Sequence, residues 1–136
     1  MSNEFSYNIG DGFKVERFIS STDVLKFAEI VGDLNPVHLD DAFAEQSFFK
    51  KRIVHGAFLG GLISKVLGMD FPGQGTIYIS QSSVFKRPVY VDTTVTVEVR
   101  VTQVIPENRR LVLDTTVLNV EGKVCLSGTA TVWRPE

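Results

Sequence analysis

Between His55 and Met69 the chain presents Ala57, Phe58, Leu59, Leu62, Ile63, Val66, Leu67 and Met69 at helical spacing, with almost no polar face left over. A surface helix keeps a polar side; this one does not, so it is expected to be enclosed. Material for enclosing it follows at once. After Phe71-Pro72-Gly73 the apolar period changes to two. Val95, Val97, Val99 and Val101 face one way, while Thr94, Thr96, Glu98, Arg100 and Thr102 face the other. Val124, Leu126, Ala130 and Val132 alternate in the same manner with Cys125, Ser127, Thr129 and Thr131. Ile77 to Val84 reads as another strand, and Leu111 to Val120, apolar on both faces, reads as a central one. Pro106-Glu107-Asn108 and Glu121-Gly122 supply the turns. The simplest arrangement is an antiparallel sheet wrapped around one buried helix, an α+β domain.

The N-terminal half supplies shorter pieces. Gly12 to Ser20 reads as an opening strand with Phe13, Val15, Arg17 and Ile19 on one face. Ser21 or Thr22 is expected to cap a helix carrying Val24, Leu25, Phe27, Ala28 and Val31, with Gly32 as its stop. Asn35 is an N-cap type and Pro36 suits a first helical position, so a short helix is expected to run on through Asp40 to Gln46. Gly60 and Gly61 each cost a helix about 1 kcal/mol relative to alanine, which predicts a close backbone approach there.

Composition excludes several classes of function. At 136 residues, the chain suits one domain over 1–136. Its net charge is −2 and Lys50-Lys51-Arg52 is its one three-residue basic cluster, which argues against nucleic-acid binding. The apolar stretch around Ile53 to Met69 is too short and interrupted to span a bilayer, and MSNEFSYNIG lacks the pattern of a secretory leader. A single cysteine, Cys125, leaves no internal disulfide. A cytoplasmic protein that binds neither nucleic acid nor membrane is expected. With 2 histidines and 1 cysteine, no convincing metal set is expected either.

The segment GDLNPVHLDD, Gly32 to Asp41, holds the densest chemistry. On one continuous helix Asp33 and His38 would lie about 140° apart. Pro36 forbids that, because the residue before a proline is pushed out of the helical region. The chain must turn between them, so both side chains can converge. Asp33 then follows one helix and His38 sits in the first turn of the next. The field at a helix N-terminus disfavours imidazolium and should lower the pKa of His38. The bland alternative is a capping turn in which Asn35 caps a helix and Asp33 and His38 are solvated.

GDLNPVHLDDAFA, preceded by FAEIV, closely resembles the signature of the (R)-specific enoyl-CoA hydratases, the MaoC-like dehydratase group of the hot-dog fold. The resemblance continues through IVHGAFLGGLISKVLG and GTIYISQSSVFKRPVYVDTTVTVEV, in order and over essentially the whole domain. It implies a long central helix wrapped by a curved antiparallel sheet, and a homodimer formed edge to edge, which would also give an open sheet edge a partner. It implies that Asp33 and His38 are the catalytic pair, that the Gly56 backbone N–H is the oxyanion donor and that Asn35 supports the pair. The substrate implied is an acyl-CoA thioester, with coenzyme A part of the substrate and no separate cofactor.

Other residues are open to two readings. His55 either touches substrate, or orients the loop before Gly56 or caps the central helix. Ser64 either bonds back to a carbonyl in its own helix or, as the resemblance implies, lies along the acyl pocket. Gln81, Ser82 and Ser83 either line the cleft or are half-exposed strand polarity. Lys86 and Arg87, with Lys50, Lys51 and Arg52 behind them, are candidates for the phosphates of coenzyme A. Rival functions are a dehydratase acting on acyl-carrier-protein thioesters, a hot-dog acyl-CoA thioesterase and a non-catalytic acyl-thioester-binding module.

Overall fold

The computed structural model describes residues 4–135. Strand β1 (Gly12–Ile19) leads into helix α1 (Ser21–Val31), two short helices α2 (Pro36–Leu39) and α3 (Asp41–Gln46), and the central helix α4 (Gly56–Lys65). The last turn of the central helix, Val66–Asp70, is π-helical. Strands β2 (Ile77–Phe85), β3 (Thr93–Ile105), β4 (Arg110–Leu118) and β5 (Val124–Trp133) follow. They form a five-stranded sheet in the order β1-β3-β4-β5-β2, antiparallel throughout. β4 is its middle strand, as its two apolar faces predict.

One core joins helix and sheet. Val95, Val97, Val99 and Val101 of β3, Leu111, Leu113 and Val117 of β4 and Leu126, Ala130 and Val132 of β5 are buried with Phe58, Leu59, Leu62, Ile63, Val66 and Leu67. Each strand contributes its alternate residues, as period two requires. This is the helix-on-sheet arrangement of the hot-dog fold.

The structure departs from the sequence-based expectations in four places. Helix α1 is capped by Ser20 rather than by Ser21 or Thr22: the Ser20 hydroxyl accepts the Asp23 N–H and the Asp23 carboxylate accepts the Ser20 N–H, each at 3.0 Å. That reciprocal pair satisfies two otherwise orphaned donors. The helix expected from Pro36 to Gln46 is broken at Asp40, which is extended (φ −120°, ψ 111°) and whose carboxylate caps α3 by accepting the Phe43 N–H at 3.1 Å. Gly60 and Gly61 meet no close backbone, since a Cβ built at either finds nothing within 4 Å. Lastly, α4 is not enclosed all round: Ala57, Gly61, Ser64 and Lys65 are exposed, a side open to solvent in the single chain.

Candidate active site

The turn after α1 brings the candidate residues together. Gly32 ends that helix in the left-handed region (φ 81°), a conformation that suits glycine, and turns the chain out of the helix just ahead of Asp33. The Asp33 carboxylate accepts the Asn35 N–H at 3.2 Å, and the Asn35 side-chain oxygen accepts the Val37 N–H at 3.2 Å. Pro36 then opens α2, which places His38 in its first turn. Asn35 is therefore the cap that fixes the turn, and its side-chain oxygen is spent on that task.

His38 is 8% exposed. Its Nδ1 lies 2.7 Å from the Ile53 carbonyl. A carbonyl only accepts, so Nδ1 carries the hydrogen and the lone pair of the neutral ring is on Nε2. Burial holds the His38 pKa below the ordinary histidine value; the bond to Ile53 and the Asp33 carboxylate pull it back up, while charge on His55 pushes it further down. The direction expected from sequence is correct, but desolvation leads among the causes.

A carboxylate oxygen of Asp33 and one ring nitrogen from each of His38 and His55 lie within 4.8 Å of one another. Asp33 is exposed and His38 buried, so the pair sits at the protein boundary, where water has access. The three groups match the donor count of an open metal centre. Their geometry does not suit one. The imidazoles are stacked 3.7 Å apart and within 25° of parallel, which sends their in-plane lone pairs side by side rather than to a point about 2.0–2.1 Å from both. Proton handling suits the arrangement better.

Gly56 opens α4, where the first N–H groups of a helix lack intrahelical partners and the helix field is positive. It lines a cleft of about 450 Å³ with Phe48, Phe49, Ile53, Leu59 and Phe85, and Lys86 and Arg87 border the same space. A Cβ at Gly56 would come within 2.9 Å of the Phe85 ring, so any side chain here pushes that ring aside as well as crowding a bound group. Apolar walls, one backbone donor and two cations at the edge suit a long apolar ligand with a polar carbonyl and an anionic tail. Arg87 is partly committed, donating to the Val124 carbonyl at 2.7 Å.

Several candidates lie elsewhere. Ser64 is exposed on α4 and is not part of this cleft. His55 is 2% exposed and, like Asp33 and His38, does not line it; it is the N-cap residue of α4, next to Gly56, but makes no side-chain cap bond. Its Nε2–H instead donates to the Asp33 carbonyl at 3.1 Å. Gln81 donates to the Ser82 carbonyl and to the Ser83 and Thr115 hydroxyls, a strand-to-strand network outside the cleft. Lys50, Lys51 and Arg52 border a separate recess with Asp41, Glu45 and Tyr90, and Arg52 is paired with Asp41 at 2.6 Å. Sequence reasoning missed Phe48, Phe49 and Phe85 as walls, although paired aromatics just before a polar break were a visible signal. It also missed the Ile53 carbonyl, which no side-chain pattern could reveal.

Residues 5–122 match the MaoC like domain family. The chain is 47% identical over 122 residues to the 3-hydroxybutyryl-CoA dehydratase of Methylorubrum extorquens, covering 90% of this chain and 77% of that protein. It is 42% identical over 126 residues to the (R)-specific enoyl-CoA hydratase of Rhodospirillum rubrum, covering 93% and 87%. Its fold superposes on the (R)-hydratase from A. caviae involved in PHA biosynthesis with a TM-score of 0.93 at 38% identity, covering 96% of this chain and 98% of that one. Fold, turn motif and likeness over nearly the full length agree, and the chain belongs to the MaoC-like domain family.

Proposed function

We propose that this protein is an (R)-specific enoyl-CoA hydratase, a hydro-lyase that adds water reversibly to a trans-2-enoyl-CoA and yields the (R)-3-hydroxyacyl-CoA. One observation carries the reading: a carboxylate and a neutral, buried imidazole converge within 4.8 Å close to the first turn of a helix. The substrate thioester carbonyl accepts the Gly56 N–H, which stabilises the enolate-like charge as it develops; one such donor is worth about 3 kcal/mol. A water is held between Asp33 and His38. His38 takes its proton at Nε2 as the oxygen bonds to C3, the Asp33 carboxylate orients the water through its other hydrogen, and C2 receives its proton back through the same pair. The reaction so drawn needs no metal or redox cofactor. The cleft beside Gly56 takes part of the thioester, with Lys86 and Arg87 toward the phosphates.

Coenzyme A is favoured over acyl-carrier protein because the relatives at 47% and 42% identity are named for CoA thioesters. The (R) product is favoured by the name of the latter. A homodimer is supported by the open side of α4 and by β2, an edge strand that exposes Ile77, Ile79, Val84 and Phe85. Among the described residues no helix is long and apolar enough to cross a membrane. A single buried cysteine suits a reducing compartment, and we place the protein in the cytoplasm.

The test is loss of ultraviolet absorbance as the purified protein hydrates crotonyl-CoA, for wild type beside Asp33→Asn and His38→Gln. Turnover that collapses in both folded variants is expected. Wild-type turnover that survives both substitutions would refute the assignment. Release of free thiol would point to a thioesterase, and a response only to acyl-carrier-protein substrates to the carrier-protein dehydratase.

A further inference from the structure

His55 has no task in the mechanism above, yet its surroundings are unusually specific for a buried polar side chain. Its Nδ1 is buried and has no hydrogen-bond partner among the described residues. An apolar side chain would fill the same space without that cost, so packing alone does not explain an imidazole here. What explains it is what the rest of the residue does. Nε2–H donates to the Asp33 carbonyl, joining the loop that carries the carboxylate to the start of α4. The ring is stacked on His38, with centroids 3.7 Å apart. Phe27 of α1 lies against it at 5.0 Å and itself meets Phe58 of α4 at 5.2 Å, so the imidazole is braced from within the core. Its own carbonyl accepts the Phe58 and Leu59 N–H groups at 3.0 and 3.4 Å, which starts the helix beside Gly56.

We infer that His55 is a positioning residue for the hydration reaction: with one hydrogen bond to the Asp33 backbone and one ring face against His38, it sets the separation of the carboxylate from the imidazole. It touches neither substrate nor the attacking water. The inference rests on the hydratase reading above. In the free protein the titratable groups that bear on His38 are Asp33 and His55.

Two substitutions separate the hydrogen bond from the ring stack. His55→Phe keeps a ring of similar size but has no N–H for Asp33. His55→Gln keeps an N–H donor of similar reach but offers no ring face, so His38 loses its cover. In crotonyl-CoA hydration kcat falls at least tenfold in each variant, while KM moves less than threefold, because the hydrogen bond and the stack hold the dyad and not the bound thioester. The pH at which activity sets in moves upward, further for His55→Gln than for His55→Phe, since only the former uncovers His38 to water. The same ordering is read without substrate from nitrogen-15 NMR titration of the His38 ring. Folded variants in which kcat and the His38 midpoint both match wild type would overturn the inference. So would a change confined to KM, which would mark His55 as a substrate contact. Failure of the wild type to hydrate any enoyl thioester would defeat the hydratase reading instead, and an unchanged His38 midpoint in His55→Gln would still defeat this one.

Discussion

Gly56→Ala tests whether the start of α4 is the oxyanion site, and the structure predicts its two effects separately. The new methyl would lie 2.9 Å from Phe85 Cε1 and 3.0 Å from Cζ, about half an ångström inside ordinary contact. Those atoms are the tip of a ring that is 55% exposed, and a small swing of the side chain relieves them. Such a displacement is far less than the roughly 30° that costs about 0.5–1.5 kcal/mol. Alanine also recovers up to about 1 kcal/mol of helix propensity. Stability should therefore stay within about 1 kcal/mol of wild type, or roughly 4 °C in Tm for a chain of this size. Activity should not. The methyl occupies the approach to the Gly56 N–H, and loss of one oxyanion donor lowers kcat by about 10²–10³. The assay is hydration of crotonyl-CoA beside thermal unfolding followed by circular dichroism, with Gly56→Ala/Phe85→Ala as a control that removes the ring. A double variant as inactive as the single one would locate the block at the donor itself. Activity of Gly56→Ala within threefold of wild type would refute the assignment of this N–H.

Ser20→Ala removes one half of the reciprocal cap on α1 and should cost about 1 kcal/mol in urea unfolding. The carboxyl of Asp23 is held below its usual range chiefly by the Ser20 N–H, so the stability it contributes is complete above the ordinary aspartate range and is lost as pH falls through its folded value; Asp23→Asn removes that titration, and urea unfolding of the variant should weaken less on the acid side. For His38 the folded pKa is also depressed, so its contribution is full above the unfolded histidine value of about 6.5 and is lost as pH falls below it, and kcat/KM should hold its plateau to a pH below about 6.5. A rate that already declines above that value would contradict His38 as the base. Leu113→Ala, in the middle of β4 and fully buried, should cost about 2–5 kcal/mol in the same urea assay, with no change in KM for molecules that remain folded.

What the sequence showed and what it hid divide along physical lines. The valines of β3 and the double-faced strand β4 were legible because burial there follows a short, regular period. Asp33 and His38 were legible because a proline and an asparagine dictate the turn locally. Ser20 was missed because three hydroxyl residues stand in a row and only the partner carboxylate decides which one caps. The break at Asp40 was hidden because helical pattern says little about a residue that ends one helix and begins the next. The place of His55 was beyond reach: its ring contact and its hydrogen bond both reach residues distant in the chain, and no spacing rule connects them. Gly60 and Gly61 were misread because helix propensity registers a missing side chain but not what stands opposite it.

In the proposed mechanism the Asp33 carboxylate has two occupations at once, since the group that would orient the water also accepts the Asn35 N–H. Asparagine can still accept that N–H, whereas alanine cannot. Exchanging Asp33 for asparagine thus deletes the charge and leaves the loop its shape. Such a protein is an inert mould of the enzyme: it should retain an unreacted enoyl thioester long enough for its bound pose to be photographed by crystallography.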